Sequence, residues 1–428
     1  MTKFKLLQLS EGISNVIRDA GFTVPSEIQE KTIPLVLAGK DVIGSSATGS
    51  GKTLAFGAGI IDKMNRGFGV QTLILTPTRE LAEQVAKTLQ KFSNYKGLRI
   101  QEIYGGVSMG PQIHGLRNAD IVVGTPGRIL DHLERRTFRL NHIKYLVLDE
   151  ADRMLDMGFI RDVEKIIRQC PNERQTLLFS ATISQEIGHI AKRYMKNPVH
   201  VSVNDQIDPS QLYQKYYDVP QELKFSLLVY LLKLEKKGVV MVFCNTRRNV
   251  DRVTRGLYQY GIDALAIHGG LSQNRRTNTL QAFHSRETLI LVCTDVAARG
   301  LDIKDVSHIY NFDLPNTGND YIHRIGRTAR AGKNGIAISF VSSGEHSEFR
   351  NICREKSLNI ENIIVPKSID VLSVTIGAPS RGRMGGRKGG GKQNRGHHRG
   401  NNNFRANDRN KGRFDRRGGM REGRSRRR

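Results

Sequence analysis

A glycine-rich stretch that ends in a lysine and a threonine is the part of this sequence with the clearest chemistry. It reads Ser46-Ala47-Thr48-Gly49-Ser50-Gly51-Lys52-Thr53. Its glycines allow backbone N–H groups to turn toward phosphate oxygens, its lysine can reach the β- and γ-phosphates, and its threonine hydroxyl can bind Mg²⁺. A serine stands where the usual motif has its first glycine, but the stretch lies between an apolar run and a helical pattern, as a phosphate-binding loop requires. The stretch predicts a nucleoside triphosphate site.

Two acids follow another apolar run further along the chain. Asp149 and Glu150 come directly after residues 145–148, at the end of a predicted strand. We predict that Asp149 binds magnesium and that Glu150 orients and activates the attacking water. Acids also stabilise a helix N-terminus, and a helical pattern begins at Ala151, so the pair alone leaves both interpretations open. Together with the upstream loop, the pair favours hydrolysis of the triphosphate.

Three further turns in the first 130 residues also follow apolar runs. They are Thr78-Arg79, Gly105-Gly106 and Thr125-Pro126-Gly127-Arg128. Glycines and helix N-termini at such places present N–H groups to phosphates, although each turn could also serve the fold alone. Contacts of this kind read the nucleic-acid backbone rather than base edges, so a strand bound here should be recognised with low sequence specificity.

The elements that position these residues alternate between short apolar runs and helical patterns in two stretches. The predicted strands are 41–44, 71–75, 120–123, 145–148 and 176–179, and then 239–243, 264–267, 289–292, 308–310 and 336–340. Continuous apolar strands separated by helices indicate parallel sheets covered on both faces. The polar segment 204–210 separates the stretches. We predict an α/β domain over residues 1–205, a linker over 206–212 and a second α/β domain over 213–365.

After about residue 366 the pattern of buried positions ends, and Gly, Arg, Asn and Lys dominate. Residues 381–428 hold 18 Lys/Arg and three acids, so they carry +15 of the formal charge of +26. The first 380 residues carry the other +11 and are basic as well. We predict a disordered basic tail over 366–428 that anchors RNA without specificity, the alternative being a solubilising or partner-binding tail.

The four cysteines lie far apart and lack the spacing of a zinc site. They are Cys170, Cys244, Cys293 and Cys353. Three of them belong to apolar runs, which favours buried thiols over disulfides or a zinc site, as in a reducing cytoplasm. No run approaches about 18 apolar residues, and the N-terminus lacks the apolar core of a signal peptide. We therefore expect a cytoplasmic protein without a membrane partner.

A series of short motifs occurs in one order along the chain, including the Asp149-Glu150-Ala151-Asp152 sequence. The motifs are residues 21–29, 47–53, 77–81, 105–106, 125–128, 149–152, 180–182, 242–246, 268–276, 294–302 and 323–330. In this series the chain resembles the DEAD-box RNA helicases of superfamily 2, from about Phe4 to about residue 345. The resemblance implies two RecA-like domains in tandem, with ATP and Mg²⁺ as cofactors.

The resemblance also implies how the nucleotide is recognised. A Q motif over about residues 2–30 would place Gln29 on the adenine, since a carboxamide donates and accepts at once. Phe22 would stack on the base, although core packing explains this residue equally well, and Phe4 would support it. Asp302 would bind the ribose.

Arg327 and Arg330 resemble arginine fingers of the second domain that reach the γ-phosphate when the cleft closes. Their spacing puts both on one helix face, where a solvated basic face or an RNA contact is the alternative. The family further links Asp152 to Ser180 and Thr182, with His323, and so couples nucleotide state to strand separation. Both hydroxyl residues could also cap the next helix.

The same family continues the RNA track into the second domain. The residues that match are His268, Gly269, Gln273, Arg276 and Thr294. The implied activity is RNA-stimulated ATP hydrolysis, coupled to closure of the two domains and to local unwinding of RNA duplexes. Ribosome-assembly and RNA-decay factors are candidate partners, and the sequence does not rank them.

Three other functions fit parts of the pattern. A DNA helicase or translocase of the same superfamily is disfavoured by Gln29 and by the DEAD sequence. A non-enzymatic RNA chaperone that acts through its tail would not need Glu150 or the two arginines. A metabolic kinase would not need a second α/β domain carrying residues 323–330.

Overall fold

We describe the protein from a computed structural model of the whole chain. The structure describes residues 3–46, 49–203, 211–234, 238–298, 301, 303, 305–329, 334–355, 358 and 360–374. Within these residues, fourteen strands form two sheets of seven. The strands of the first sheet are β1 (Val42–Ser45), β2 (Thr72–Leu75), β3 (Ile100–Ile103), β4 (Ile121–Gly124), β5 (Tyr145–Leu148), β6 (Gln175–Ser180) and β7 (Val199–Ser202). The strands of the second sheet are β8 (Leu212–Asp218), β9 (Val239–Phe243), β10 (Leu265–Ile267), β11 (Ile290–Cys293), β12 (Val306–Asn311), β13 (Gly335–Val341) and β14 (Glu361–Ile363).

Helices connect these strands and cover both sheets. In the first domain they are α1 (Glu11–Asp19), α2 (Glu27–Leu37), α3 (Lys52–Lys63), α4 (Arg79–Ser93), α5 (Met109–Leu116), α6 (Pro126–Glu134), α7 (Ala151–Asp156), α8 (Ile160–Ile167) and α9 (Gln185–Tyr194). In the second domain they are α10 (Lys224–Leu234), α11 (Arg247–Gln259), α12 (Gln273–His284), α13 (Asp295–Ala298), α14 (Gly318–Ile325) and α15 (His346–Glu355). Short 3₁₀ helices span Lys3–Leu7, Asn94–Lys96 and Gln221–Leu223.

Both sheets are parallel, as the sequence predicts. The strand order is β3-β4-β2-β5-β6-β1-β7 in the first and β10-β11-β9-β12-β13-β8-β14 in the second, and neighbouring strands run in the same direction. The carboxyl ends of parallel strands meet at one edge of a sheet, where ligands of such folds bind. The turns singled out in the sequence follow these ends, so the topology gathers them along one edge of each sheet.

Alternate residues of a strand enter two different apolar cores. Leu73 and Leu75 of β2 belong to the core on one face of the first sheet, whereas Ile74 belongs to the core on the other face. In β9 the same alternation separates Met241 from Val242. Burial on both faces explains why these strands are apolar throughout, and it fixes their register, since a shift by one residue would exchange the two cores.

The sequence analysis missed β3, β7, β8 and β14. Three of them lie at sheet edges and β8 is next to an edge. Their polar residues, such as those of Glu361–Ile363, are half-buried or exposed. A strand with one open face does not need a continuous apolar run, so the pattern that found the central strands passes over it.

The packed chain extends beyond the boundary predicted at residue 366. The Leu372 N–H donates to Ser226 Oγ at 2.9 Å, and the Tyr260 hydroxyl donates to the Ser373 carbonyl at 3.1 Å. Ile369, Leu372 and Val374 pack against the core beneath α10 and α11. Residues 366–374 therefore belong to the second domain, and the predicted start of the tail was several residues too early. Residues 375–428, with the rest of the predicted tail, lie outside the described residues.

Three of the four cysteines are buried, as predicted, and all four are free thiols. Burial raises the pKa of the Cys170 thiol to about 11. In the described part of the chain, no helix has both the length and the apolar character needed to cross a membrane.

Candidate nucleotide and nucleic-acid site

The glycine-rich stretch forms a turn between β1 and α3. Gly49 and Gly51 have φ values of +88° and +93°, a conformation that favours glycine. Lys52 is the first residue of α3, and its Nζ donates to the Ser46 carbonyl at 3.1 Å. Ser46 and Ser50 share a hydroxyl hydrogen bond of 2.9 Å. The lysine is thus held over the turn, at the N-terminus of a helix, where anions bind well.

The other predicted residues of the loop are described only in part. Thr53 is half-buried in the first turn of α3, and Gly49 is exposed. Ala47 and Thr48 lie outside the described residues.

Gln29 braces this turn from α2. Its Oε1 accepts from the Ser26 N–H at 3.0 Å, and its Nε2 donates to the Gly51 carbonyl at 3.1 Å. Ser26 Oγ also donates to the Ser50 carbonyl at 2.8 Å. A Cβ on Gly51 would lie 2.3 Å from Gln29 Nε2, so this approach requires glycine. The sequence predicts an adenine contact for Gln29, and the structure adds a direct contact with the phosphate loop.

The two phenylalanines near Gln29 differ in exposure. Phe22 is 42% exposed, and its ring centroid lies 6.1 Å from that of Phe92. Phe4 is 1% exposed and belongs to the core of the first domain. Phe22 is therefore accessible to a stacking base, whereas Phe4 is buried and can support the site only through packing within the core.

Asp149 and Glu150 lie directly after β5 and are both buried. The Glu150 N–H donates to Asp149 Oδ1 at 3.0 Å. Burial raises the pKa of Asp149 to about 6, although the charge of Lys52 opposes this shift. Glu150 has a φ of +53°, a left-handed conformation that costs a non-glycine residue roughly 1 kcal/mol or more. Strain of this kind is typical of functional positions, where the surrounding structure holds a side chain in place.

Asp152 is bonded to the segment after β6. Its Oδ2 accepts from the N–H groups of Ala181 and Thr182, at 3.2 and 3.1 Å, and from Thr182 Oγ1 at 3.3 Å. The Asp152 N–H donates to Ser180 Oγ at 3.2 Å. The structure thus brings together Asp152, Ser180 and Thr182, three of the four residues that the sequence analysis groups as coupling residues.

A cleft contains residues of both domains. It is lined by Arg153 of the first domain and by Asp320, His323 and Arg327 of the second, among others. Arg153 Nη1 lies 3.5 Å from an Asp320 carboxylate oxygen, an ion pair between the domains. His323 Nδ1 is buried without a hydrogen-bond partner among the described residues.

The predicted arginine pair is described only in part. Arg327 is buried and donates to the Leu301 carbonyl at 2.8 Å. Arg330 lies outside the described residues, and so does Asp302, the predicted ribose ligand.

Arg324 is a central residue that the sequence analysis did not assign. Its side chain is 1% exposed and forms two bonds of 2.6 Å with the Asp295 carboxylate. It also donates to Asn245 Oδ1 at 2.9 Å and to the Asp313 carbonyl at 2.6 Å. These partners offset the cost of removing the positive charge of the guanidinium group from water. These bonds connect the segments that follow β9, β11 and β12, beside Arg327. The only sequence signal for this role is that Arg324 lies within the 323–330 motif.

The turns of the first domain place two guanidinium groups against a glycine pair. Arg79 lies so close to Gly106 that a Cβ there would be 2.0 Å from its Nη1, and Gly106 has a φ of +78°. Arg128 donates to the Val107 carbonyl at 3.2 Å, and its Nη1 is buried without a hydrogen-bond partner among the described residues. Thr78 caps α4 and Thr125 precedes α6, which has Pro126 and Gly127 in its first turn. The predicted residues thus follow the carboxyl ends of three neighbouring strands, β2, β3 and β4.

In the second domain, two predicted RNA residues contact the first domain. Arg276 Nη2 lies 2.7 Å from Glu80 Oε1, an ion pair with little solvent exposure. Gln273 Nε2 donates to Glu83 Oε1 at 3.3 Å. The sequence predicts RNA contacts for both, whereas the structure places them between α12 and α4. Glu80 lies within a motif, but no sequence signal identified its partner.

The other residues of this group lie at the ends of β10 and β11. His268 Nε2 bonds to Asp251 at 3.0 Å, and its Nδ1 accepts from the Gly270 N–H at 3.1 Å. Thr294 is buried directly after β11. Gly269 lies beside the Arg247 guanidinium, since a Cβ on this glycine would be 3.3 Å from Arg247 Nη2.

Two family models match the chain. The DEAD/DEAH box helicase model matches residues 26–190, and the helicase conserved C-terminal domain model matches residues 223–332. These matches cover the two domains separately.

Two curated relatives match most of this chain. The chain is 46% identical to the DEAD-box ATP-dependent RNA helicase CshA of Geobacillus kaustophilus over 369 residues, covering 86% of this chain and 79% of the relative. It is 47% identical to the ATP-dependent RNA helicase CshA of Listeria monocytogenes over 353 residues, covering 82% and 68%.

Solved structures resemble the fold as well. A DEAD box protein of Methanococcus jannaschii is 43% identical with a TM-score of 0.52, covering 85% of this chain and 99% of that one. Dbp5 of S. cerevisiae, bound to RNA and ADP BeF3, is 32% identical with a TM-score of 0.77, covering 85% and 96%. The TM-score is therefore higher for the less identical of these two proteins. On these matches and this site geometry, the chain belongs to the DEAD-box ATP-dependent RNA helicases.

Proposed function

We propose that this ATP-dependent RNA helicase assembles its hydrolytic site by closing its second domain on its first, with RNA lying across both. The observation that carries this proposal is the ion pair at 3.5 Å between Arg153, three residues after Glu150, and Asp320 of the second domain. Closure then completes the site only when ATP and RNA are both bound, so the binding of each ligand favours the binding of the other.

On the first domain, Lys52 and the loop over residues 46–53 hold the triphosphate, and Glu150 orients the attacking water and accepts its proton. Arg327 and Arg330 approach the γ-phosphate from the second domain. Donors of this kind stabilise the charge that develops on the phosphate and contribute about 10³- to 10⁵-fold to rate in related hydrolases. Gln29, Phe22 and Asp302 select the nucleoside.

The chemistry of two oxygen donors fits magnesium. The Asp149 carboxylate and the Thr53 hydroxyl are of the type that Mg²⁺ prefers. Burial raises the pKa of Asp149 to about 6, and a cation beside it would offset that cost of burial. Magnesium, when bound, would neutralise charge on the phosphates.

Asp152 reports the nucleotide state to Ser180 and Thr182, because the acid follows Glu150 by two residues and bonds to the segment after β6. His323 lies in the cleft and takes part in this link.

RNA follows the glycine pair and the two arginines of the first domain, and then the turns after β10 and β11. Gln273 and Arg276 reach this region while holding the domains together. The basic tail adds a second, non-specific anchor, and factors of ribosome assembly or RNA decay are candidate partners. The free thiols suit a cytoplasmic location.

Substitution of Lys52 tests the nucleotide site. We expect Lys52→Ala to abolish RNA-stimulated ATP hydrolysis, whereas Lys63→Ala, an exposed lysine at the end of the same helix, leaves it unchanged. Comparing RNA with DNA as the stimulating strand distinguishes an RNA helicase from a DNA translocase. Full RNA-dependent turnover by Lys52→Ala would show that the phosphate site is assigned wrongly.

A further inference from the structure

Helix α11 of the second domain exposes a basic face that the site described above does not use. Val250, Val253 and Leu257 bury one side of this helix in the core. Arg248, Arg252 and Arg255 occur at positions i, i+4 and i+7 and are exposed. Residues with this spacing share one face of a helix, so the three arginines form a row. Within the described residues, none of them has an acidic partner.

The single acid of α11 does not neutralise this row. Asp251 is held by His268 at a distance of 3.0 Å. This bond directs the carboxylate toward the turn after β10. Three arginines and one aspartate leave this face with a net positive charge, which favours a polyanion.

The row begins where the proposed RNA track of the second domain ends. Arg247, the first residue of α11, lies against Gly269, a residue of that track. Arg248 follows it in the chain and begins the exposed row. The track and the row thus form a continuous path that starts at the ends of the strands and runs outward along the helix.

An aromatic side chain lies at the far end of this path. Tyr258 is 74% exposed and follows Arg255 by three residues, one turn further along the helix. From Arg248 to Tyr258 the helix rises about 15 Å. Arginines followed by an exposed aromatic ring suit a single strand, since guanidinium groups bind phosphates and rings stack on bases.

We propose that Arg248, Arg252, Arg255 and Tyr258, here named the α11 face, bind RNA that extends beyond the track between the domains. This inference rests on the proposed RNA track. An acidic protein would also be attracted to the arginines, but the continuity with Arg247 and Gly269 favours RNA. The α11 face would hold the flanking strand while the core acts on the part between the domains.

Charge reversal in the full-length protein tests the proposal. Arg252→Glu combined with Arg255→Glu should weaken binding of an RNA of about 25 nucleotides roughly tenfold at low salt, and leave an RNA of about six nucleotides unaffected. The slope of log affinity against log salt for the long RNA should fall by about 1.4, because two arginine–phosphate contacts are lost. Fluorescence anisotropy with a non-hydrolysable ATP analogue measures both.

The matched control is Arg350→Glu combined with Arg354→Glu. These arginines are also exposed and four residues apart, but they lie on α15, which packs on the other face of the sheet. We expect no preferential loss of long RNA. A direct readout is photocrosslinking of 4-thiouridine in the long RNA, which should label the peptide that contains Tyr258.

Four outcomes decide between failure of this proposal and failure of the proposed RNA track. Unchanged long-RNA binding by the α11 variant, or an equal loss in the α15 control, overturns the proposal. Absence of the Tyr258 crosslink overturns it as well. If the short RNA fails to stimulate ATP hydrolysis in the unmodified protein, the proposed RNA track fails instead.

Discussion

Asp149 has a carboxyl group that is almost completely buried, and its pKa is raised to about 6. A carboxyl with a raised pKa takes up a proton as the pH falls through that value, and the protonated form is a poor magnesium ligand. We therefore expect kcat/KM for ATP to fall as the pH drops through about 6. The pH dependence of kcat/KM reflects the pKa values of groups in the free enzyme. The value of kcat should decline only at lower pH, because a bound cation lowers the pKa of Asp149.

Steady-state ATPase measurements across this pH range, at saturating RNA, check the prediction. Circular dichroism at each pH serves as a control for unfolding. A kcat/KM that stays constant while the pH falls through 6 would contradict it.

Gly106 combines a positive φ with the close approach of Arg79. An alanine there would be strained and would displace the guanidinium group. We expect Gly106→Ala to raise the RNA concentration for half-maximal ATPase stimulation and to leave ATPase activity without RNA unchanged. Gly110→Ala is the control, since a Cβ there meets no atom within 4 Å. Normal RNA stimulation of the Gly106 variant would remove this glycine from the RNA surface.

For single residues, the sequence predicted which side chains belong to the site but not which distant residues they contact. Lys52, Asp149 and Asp152 lie where their local motifs predict them. Gln29 and Arg276 were also selected, but their contacts with Gly51 and Glu80 depend on how distant segments pack. A local pattern contains no information on such pairs, which is also why Arg324 was missed.

Helices α4 and α12 form a contact between the two domains. Glu80 and Arg276 are paired at 2.7 Å with little access to solvent, and Gln273 bonds to Glu83 beside them. Leaving one buried charge without its partner is costly, so each single variant should impair closure. A double-mutant cycle with Glu80→Ala and Arg276→Ala should give a coupling energy of about 0.5–3 kcal/mol.

The cycle is measured on RNA-stimulated ATPase activity. Arg275→Ala is the matched control because Arg275 is the exposed neighbour on the same helix. Strictly additive effects of the two substitutions would mean that the pair does not contribute to closure.

Elements in the middle of both sheets could be predicted because their strands are buried on two faces. Strand β5 is an example, with a run of Leu-Val-Leu that also locates Asp149. Edge strands such as β7 have an exposed face, so their composition does not distinguish them from loops. The strand order could not be predicted either, since it depends on crossovers that leave no local signal.

In the whole molecule, residues after the predicted boundary at 366 still pack against the second domain. Truncation after residue 374 keeps the contacts of Leu372 and Val374 with the second domain. We expect this variant to retain ATPase activity without RNA and its thermal stability, and to show a higher Michaelis constant for RNA because it lacks the basic tail. An unchanged RNA affinity over a salt series would exclude the tail as an anchor.

Truncation after residue 363 is the informative comparison. It removes Val365, Ile369 and Leu372 from the core beneath α10 and α11. Loss of several buried apolar side chains should lower the midpoint of thermal unfolding, which calorimetry measures. Equal stability of the two truncated proteins would place these residues outside the fold.

Closure of the two domains on two ligands is the central claim for the whole molecule, and an intramolecular distance tests it most directly. Cysteines at Lys165 of α8 and Arg350 of α15, both exposed, accept a donor and an acceptor dye once Cys353 is replaced by serine. Energy transfer should rise only when ATP and single-stranded RNA are both present, and Lys52→Ala should prevent the rise. Full closure with either ligand alone, or rapid ATP turnover without closure, would contradict the account.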